Sequence, residues 1–383
     1  MDYPQLAKVR FHVTAPGRVN LLGEHVDYND GPVLPAAIDR AVYLSAALRP
    51  DTHLQLTAQD LGQQAVLDLT ALADKRDADG RPLPDWALYP AGVAMALHAR
   101  GYATPGLDVV YTSNVPMGAG LSSSAAVETA FAVLWQAAAG WEMERMALAR
   151  ICQEAENRYV GVKCGLMDQF ASAHGVEGHA LFFDTRSLDW HPVPLPPDTA
   201  IVIADSGVRR SLTGSAYNQR RAACSQAVEL LRPYLRGIRA LRDVSPADFD
   251  RLAFHLPPLV QQRARHVVEE CQRVDQAVEL LEQGDAAGFG RLMLAGHASL
   301  RDLYEVSVPE LDALVEIARK LPGCYGARLT GAGFGGCTVN LVQEEAAPAF
   351  IRALGVAYTD HTGRLAEIYL CHASPGARAV TVA

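Results

Sequence analysis

Apolar and polar residues alternate loosely from Val9 to Leu22, and the pattern stops at Gly23, which predicts a strand. A second apolar segment rich in Val, Ile and Ala runs from Val33 to Leu48. Asn29-Asp30-Gly31 between the two is a turn signal, so Gly23 to Tyr28 falls in a loop joining two strands. His53 to Leu69 carries two further short strand-like runs, Ala78 to Pro84 is a charged Gly/Pro loop, and Trp86 to Arg100 has helical spacing. Leu107 to Tyr111 reads as a strand feeding directly into Pro116-Met117-Gly118-Ala119-Gly120-Leu121-Ser122-Ser123-Ser124-Ala125-Ala126. A helix-like run then reaches Ala139 and stops at Gly140. Met143 to Tyr159 aligns Leu148, Cys152, Ala155 and Tyr159 on one helical stripe with Glu156 beside it, and the polar loop Gly161 to Gly165 separates it from Leu166 to Ala173.

Pro192, Pro194, Pro196 and Pro197 make a rigid segment that no helix or central strand accommodates, and a domain boundary is expected there, dividing the chain into residues 1–191 and 192–383. The last strand or helix is left free to return to the first domain. Beyond the boundary, Ala200 to Ala204 reads as a buried strand, followed by helical patterns over Arg209 to Tyr234, Val260 to Glu282 and Pro309 to Lys320. Ala327 to Thr330, the loop Gly331 to Gly336 and the strand-like Cys337 to Val342 close the reading, with no repeat of fixed period and no low-complexity tract.

At 383 residues, 49% hydrophobic and 20% charged, the chain has ordinary globular composition and enough length for two cores. Its net charge of −9, with Lys8, Lys75, Lys163 and Lys320 as the only lysines, leaves no basic stripe for a nucleic-acid backbone. An anionic substrate must instead be held by backbone amides and single arginines. Seven cysteines without a Cys-x-x-Cys pair argue against a disulfide framework and a zinc cluster, and read as reduced thiols of a cytoplasmic protein. The charged N-terminus, broken by Pro4, and the lack of an apolar run of bilayer-spanning length predict neither export nor a membrane span.

Gly118 and Gly120 permit a tight turn and close approach to a ligand, and the three serines then fall where the first turn of a helix has unpaired N–H groups. Such a start binds phosphate, and a serine hydroxyl there suits a phosphate oxygen or Mg²⁺. The strong helix former that follows at once argues against a flexible Gly/Ser linker. No Gly is followed by Lys, so a G-x-x-x-x-G-K-[ST] loop is absent, as are protein-kinase signatures. Gly331-Ala332-Gly333-Phe334-Gly335-Gly336 matches the dinucleotide pattern by letters, but it precedes a strand rather than a helix. Arg18, Glu24, His25 and Asp27 gather four functional side chains on a strand and its loop; carboxylates accept from sugar hydroxyls and a planar Arg suits a phosphoryl group. Turn chemistry explains Asn29 to Gly31 but not Arg18 or Glu24. Asp168, near the start of a short helix, is either a cap or a group that orients an accepting hydroxyl and takes its proton. Glu156 is either an exposed helix carboxylate or a Mg²⁺ ligand.

Three separated motifs resemble those of the GHMP small-molecule kinases, and of their galactokinase branch in particular. They are Gly17-Arg18-Val19-Asn20-Leu21-Leu22-Gly23-Glu24-His25-Val26-Asp27-Tyr28-Asn29, the serine loop, and Leu329-Thr330-Gly331-Ala332-Gly333-Phe334-Gly335-Gly336-Cys337. Gly165-Leu166-Met167-Asp168-Gln169-Phe170-Ala171-Ser172 and His297-Ala298-Ser299-Leu300-Arg301-Asp302 add to the resemblance, which covers nearly the whole chain. It implies an α+β fold of two domains, the first with a mixed sheet and the second ferredoxin-like, with the active site in the cleft between. It implies ATP-dependent phosphorylation of D-galactose at the anomeric hydroxyl, with Asp168 as base and Arg18 as electrostatic stabiliser. Glu24, His25, Asp27, Gly165 and Tyr217 would line the sugar pocket. Gly118, Ala119, Gly120, Leu121, Ser122, Ser123 and Ser124 would bind the ATP phosphates, Trp86 and Tyr89 would neighbour adenine, and Ser124 and Glu156 would lie near Mg²⁺. A monomer acting on galactose and MgATP is expected, the alternatives being a kinase for arabinose, galacturonate or N-acetylgalactosamine, or a non-catalytic galactose sensor. Val26, Ala119, His174 and Leu303 depart from the usual pattern of the family.

Overall fold

The computed structural model describes residues 3–209 and 213–382, so the start of the N-terminal stretch and residues 210–212 of the helix expected over Arg209–Tyr234 lie outside the described residues. In chain order the strands are β1 (Phe11–Asn20), β2 (Pro32–Val33), β3 (Pro35–Leu48), β4 (His53–Ala58), β5 (Gln63–Asp68), β6 (Leu107–Ser113), β7 (His179–Asp184), β8 (Trp190–Pro194), β9 (Thr199–Asp205), β10 (Cys324–Leu329), β11 (Cys337–Gln343), β12 (Glu367–Cys371) and β13 (Arg378–Thr381). The helices are α1 (Asp85–His98), α2 (Ser123–Ala139), α3 (Arg145–Glu154), α4 (Met167–His174), α5 (Thr213–Leu231), α6 (Pro246–Leu252), α7 (Pro258–Glu282), α8 (Ala286–Ser299), α9 (Pro309–Ala318) and α10 (Ala347–Thr362).

The N-terminal half is built on a six-stranded sheet of order β13-β1-β3-β6-β4-β5, mixed because β4 runs parallel to β6 while the other pairs are antiparallel. Alternate residues Val13, Leu44, Leu56 and Val109 pack with Ala91, Phe131, Trp135 and Leu148 of α1, α2 and α3 in one buried cluster. This period of two on the strands against helical spacing on the covering layer is what the hydrophobic pattern requires. The C-terminal half carries an antiparallel sheet of order β10-β11-β9-β12. Ala200, Val202 and Ala204 of β9 face Leu314, Phe350 and Leu354 of α9 and α10, whereas Ile201 and Ile203 face Phe289 and Met293 of α8. Both faces are covered, hence the unbroken apolar run.

The two halves share a core. Val19 near the end of β1 and Leu21 and Leu22 just beyond it are buried together with Val274 and Leu281 of α7 and Val339 of β11. The proline-rich segment at the expected boundary is itself an edge strand, β8 pairing with β7, where missing N–H groups cost no ladder bonds. A division after residue 191 passes through this strand, and β13 returns to lie antiparallel on β1.

The long helix expected from Met143 to Tyr159 begins at Arg145, with the Glu144 carboxylate accepting from the N–H groups of Met146 and Ala147 at 2.9 and 3.0 Å. From Ala155 to Val160 it widens into a π turn closed by Gly161 in the left-handed region. π turns concentrate at functional sites, and Glu156, beside the stripe by helical spacing, is buried in this one.

Candidate active site

Arg18 reaches the site because β1 breaks register between Pro16 and Arg18, and the Arg18 N–H donates to the carbonyl of Leu121 instead of to a strand. Its guanidinium then spans two structures. Nε and Nη2 donate to Oδ1 of Asp168 at 2.9 and 2.7 Å, while Nη1 donates to the carbonyl of Gly120 at 2.6 Å. Asp168 lies in the first turn of α4 beyond the helix-capping residue Leu166, so it is no cap. The Ser172 hydroxyl anchors the same helix to β1 by donating to the Pro16 carbonyl at 2.8 Å.

Around this pair lies a cavity of about 850 Å³ bordered by Arg18, Glu24, His25, Asp27, Glu156, Gly165, Asp168 and Tyr217. Every residue expected at the sugar or the reacting hydroxyl borders it, together with Ala332 of the glycine loop and with Lys163, Asn218 and Arg221, to which motif reading gave no role. A methyl group on Gly165 would overlap Oδ2 of Asp27, so the bare glycine lets that carboxylate stand at the cavity wall. Burial pushes the Asp27 carboxyl up to about 6, and the neighbouring Asp168 charge adds to the rise. His25 has left-handed backbone, φ 64. Its Nε2 donates to the Ala332 carbonyl, an obligatory acceptor, at 3.2 Å, and its Nδ1 lies 2.9 Å from the Tyr28 hydroxyl. Tyr28 is in turn 2.7 Å from the hydroxyl of buried Tyr304.

Glu24 borders the cavity, but its carboxylate is ion-paired with Arg328, which is itself fully buried. Arg328 also donates to Glu270 at 2.9 Å; Glu270 accepts from Arg273 at 2.6 Å and from the Gly23 N–H at 2.9 Å. Burial drives Glu24 up to about 7 against the pull of Arg328. Burial works the same way on Glu270, but Arg328 and Arg273 override it and hold that carboxyl far below the usual range. Glu24 therefore both borders the cavity and ties the first loop to β10 through a buried guanidinium.

A second cleft, of about 700 Å³, is bordered by Trp86, Tyr89, Pro116, Met117, Ser123 and Ser124, with Arg40, Asp60, Asn114, Arg209 and Tyr369 as further neighbours. Gly118 and Gly120 turn in the left-handed region, φ 69 and 83, and Ser122, φ 58, leads into α2. Ala119 and Leu121 point their side chains into the core, so only their backbone is available to phosphate. Ser124, on the second cleft, is near enough to Glu156, on the first cavity, to counter part of the upward push that burial gives that carboxyl, so the two residues expected near Mg²⁺ lie where the spaces adjoin. Mg²⁺ binds one or two protein carboxylates together with phosphate oxygens and water, and this oxygen pair fits it. Among the described residues no group of three or more His, Cys, Asp or Glu offers a fuller cage. The departures Val26, Ala119 and His174 are buried away from the cavity border, and Leu303 contributes a carbonyl to Arg263.

The galactokinase galactose-binding signature matches residues 5–48, the GHMP kinases N terminal domain residues 89–176 and the GHMP kinases C terminal model residues 277–359. The galactokinase of Roseiflexus sp. (strain RS-1) is 49% identical over 367 residues, covering 95% of this chain and 91% of that protein. The chain belongs to the galactokinase family. The galactokinase of Chloroflexus aurantiacus is 46% identical over 96% of this chain and 92% of its own length. The crystal structure of Lactococcus lactis galactokinase complexed with galactose superposes with a TM-score of 0.89 at 35% identity, over 97% of this chain and 95% of the other. The Methanococcus jannaschii mevalonate kinase, at 18% identity and a TM-score of 0.69, shares the fold. Galactokinases are ATP-using sugar kinases, and the two adjoining spaces suit two substrates. No helix among the described residues is long and apolar enough to cross a membrane.

Proposed function

We propose that this galactokinase-family chain transfers the γ-phosphoryl group of ATP to the anomeric hydroxyl of D-galactose, yielding α-D-galactose 1-phosphate and ADP. The observation that carries the reading is the Arg18 guanidinium, which holds Asp168 on one side and the glycine loop on the other. Both Arg18 bonds fall on Oδ1 of Asp168, so Oδ2 remains for the sugar hydroxyl. Asp168 orients that hydroxyl and takes its proton as the O–P bond forms. A loose phosphoryl-transfer transition state needs little basicity from the acceptor group, which suits an arginine-paired aspartate. Arg18 offsets charge developing between hydroxyl and phosphoryl group. Asp27, held by Gly165, accepts from ring hydroxyls, His25 and Tyr217 wall the pocket, and the N–H groups from Gly118 to Ser124 receive the phosphates. Trp86 and Tyr89 flank the base.

Ser124 and Glu156 would hold Mg²⁺, which when bound neutralises phosphate charge. We further take the chain to be cytoplasmic, on the cysteine pattern given above, and to act as a monomer. The test is a panel of hexoses and pentoses with MgATP and coupled detection of ADP. Galactose is expected to be turned over in preference to arabinose, galacturonate and N-acetylgalactosamine; release of ADP with none of them refutes transfer to sugar, and sugar binding without turnover identifies a sensor.

A further inference from the structure

Behind the junction of the two spaces, three elements meet at one side-chain amide. Gln169 of α4 is fully buried, and its Nε2 donates to Oε2 of Glu156 in the π turn at 2.7 Å and to Oε2 of Glu128 in α2 at 3.0 Å. Both neighbours present carboxyl oxygens to the amide, so both of its N–H groups are spent. Glu156 Oε2 also accepts from the Cys164 thiol at 3.2 Å, which leaves Oε1 as the oxygen not engaged by these two donors. Glu128 is buried too, and its Oε1, like Oε1 of Gln169, has no hydrogen-bond partner among the described residues. Burial, with the nearby Glu156 charge, pushes the Glu128 carboxyl well up, and burying an acid with one oxygen unpaired costs more than an apolar side chain in the same helix, so packing does not account for a glutamate there.

We propose that Glu128 and Gln169 are a positioning pair: Glu128 fixes the amide of Gln169, which pins one oxygen of Glu156 so that the other is presented beside Ser124 to the metal carried by the nucleotide. The inference rests on the phosphoryl-transfer reading above. Neither residue touches substrate; both act through Glu156. Adjacent Asp168 and Gln169 on α4 thereby serve the sugar hydroxyl and the metal-side carboxylate from one rigid element.

The test measures Mn²⁺ affinity by electron paramagnetic resonance in the presence of ADP, alongside galactose affinity and thermal melting, for wild type, Gln169→Met, Glu128→Leu and Glu128→Gln. Loss of the support behind a metal ligand lowers metal affinity by about 10–100-fold, the effect expected for Gln169→Met and Glu128→Leu, with galactose affinity held within about twofold. Glu128→Gln still offers an acceptor oxygen to Gln169 and is expected to retain Mn²⁺ affinity. The proposal is overturned if folded Glu128→Leu binds Mn²⁺ like wild type, or if Glu128→Gln fails as badly as Glu128→Leu; should Gln169→Met not fold, the Glu128 pair decides. Wild-type protein that phosphorylates no sugar refutes the functional reading, whereas active wild type with unmoved Mn²⁺ affinity in the variants refutes the positioning pair alone.

Discussion

Replacing Asp168 by Asn keeps every heavy-atom position but removes the charge and the proton-accepting oxygen. Arg18 donates twice to Oδ1, so the amide oxygen of the variant occupies that place and the NH₂ group takes the place of Oδ2, facing the sugar hydroxyl. A donor then meets the proton that has to leave. Positioned proton transfer contributes about 10²–10⁴-fold, which is roughly 2.7–5.4 kcal/mol of barrier at about 1.36 kcal/mol per decade. Turnover should fall by that factor. The Arg18 bonds weaken from charge-assisted to neutral-acceptor bonds at a cost of about 1 kcal/mol, so the protein should remain folded. Galactose affinity should change little, because ring recognition lies with other side chains. The assay pairs coupled ADP release with calorimetric titration of galactose. If Asp168→Asn retains more than about a tenth of wild-type kcat, or loses activity only because galactose no longer binds, the role given to Asp168 is wrong.

Gly165→Ala drives a methyl group into Oδ2 of Asp27; overpacking of this kind costs about 1–3 kcal/mol, so the KM for galactose should rise about 5- to 150-fold while the KM for ATP stays near wild type, and an unchanged galactose KM would sever Gly165 from Asp27. The Asp27 carboxyl titrates near 6 in the fold against an ordinary 3.8, so the folded state binds its proton more tightly and this group's contribution to stability falls as pH rises from about 4 to about 6. Galactose affinity should move the opposite way, strengthening as the carboxylate forms, and Asp27→Asn should flatten the limb near pH 6; a limb that persists in the variant belongs to another group. Arg328→Met leaves the buried carboxylates of Glu24 and Glu270 without their shared cation, an expected loss of about 3–5 kcal/mol in urea unfolding, and a loss below about 1 kcal/mol would show that the triad is not holding the first loop to β10.

What could be read from the chain alone was whatever is local. The loop from Glu24 to Asp27 and the turn into α2 carry their chemistry within a dozen residues; Glu24, His25 and Asp27 border the first space, and Met117, Ser123 and Ser124 border the second. Arg328 was illegible because its partners Glu24 and Glu270 arrive from two other elements, and an arginine inside an apolar strand carries no local sign of a buried ion pair. Helix α8 escaped for a different reason. Gly288, Gly290 and Gly296 lower its helix propensity, yet a side chain at Gly290 would overlap the backbone of Tyr325, so close packing on β10 demands what propensity opposes. The short edge strands β8, β12 and β13 have weak patterns of their own and are ordered by pairing with β7, β9 and β1. Glu156 was read beside the apolar stripe of a regular helix, as an exposed carboxylate or a metal ligand; it is buried in a π turn, which helical spacing does not reveal.

The regiochemistry of the product tests the central claim most directly. Galactose labelled with ¹³C at the anomeric carbon, incubated with the protein and MgATP, should give a single new sugar species whose labelled carbon couples to ³¹P in the α configuration. Phosphate on any other carbon, or full recovery of unmodified sugar with ATP intact, would contradict the placement of the anomeric hydroxyl between Asp168 and the glycine loop.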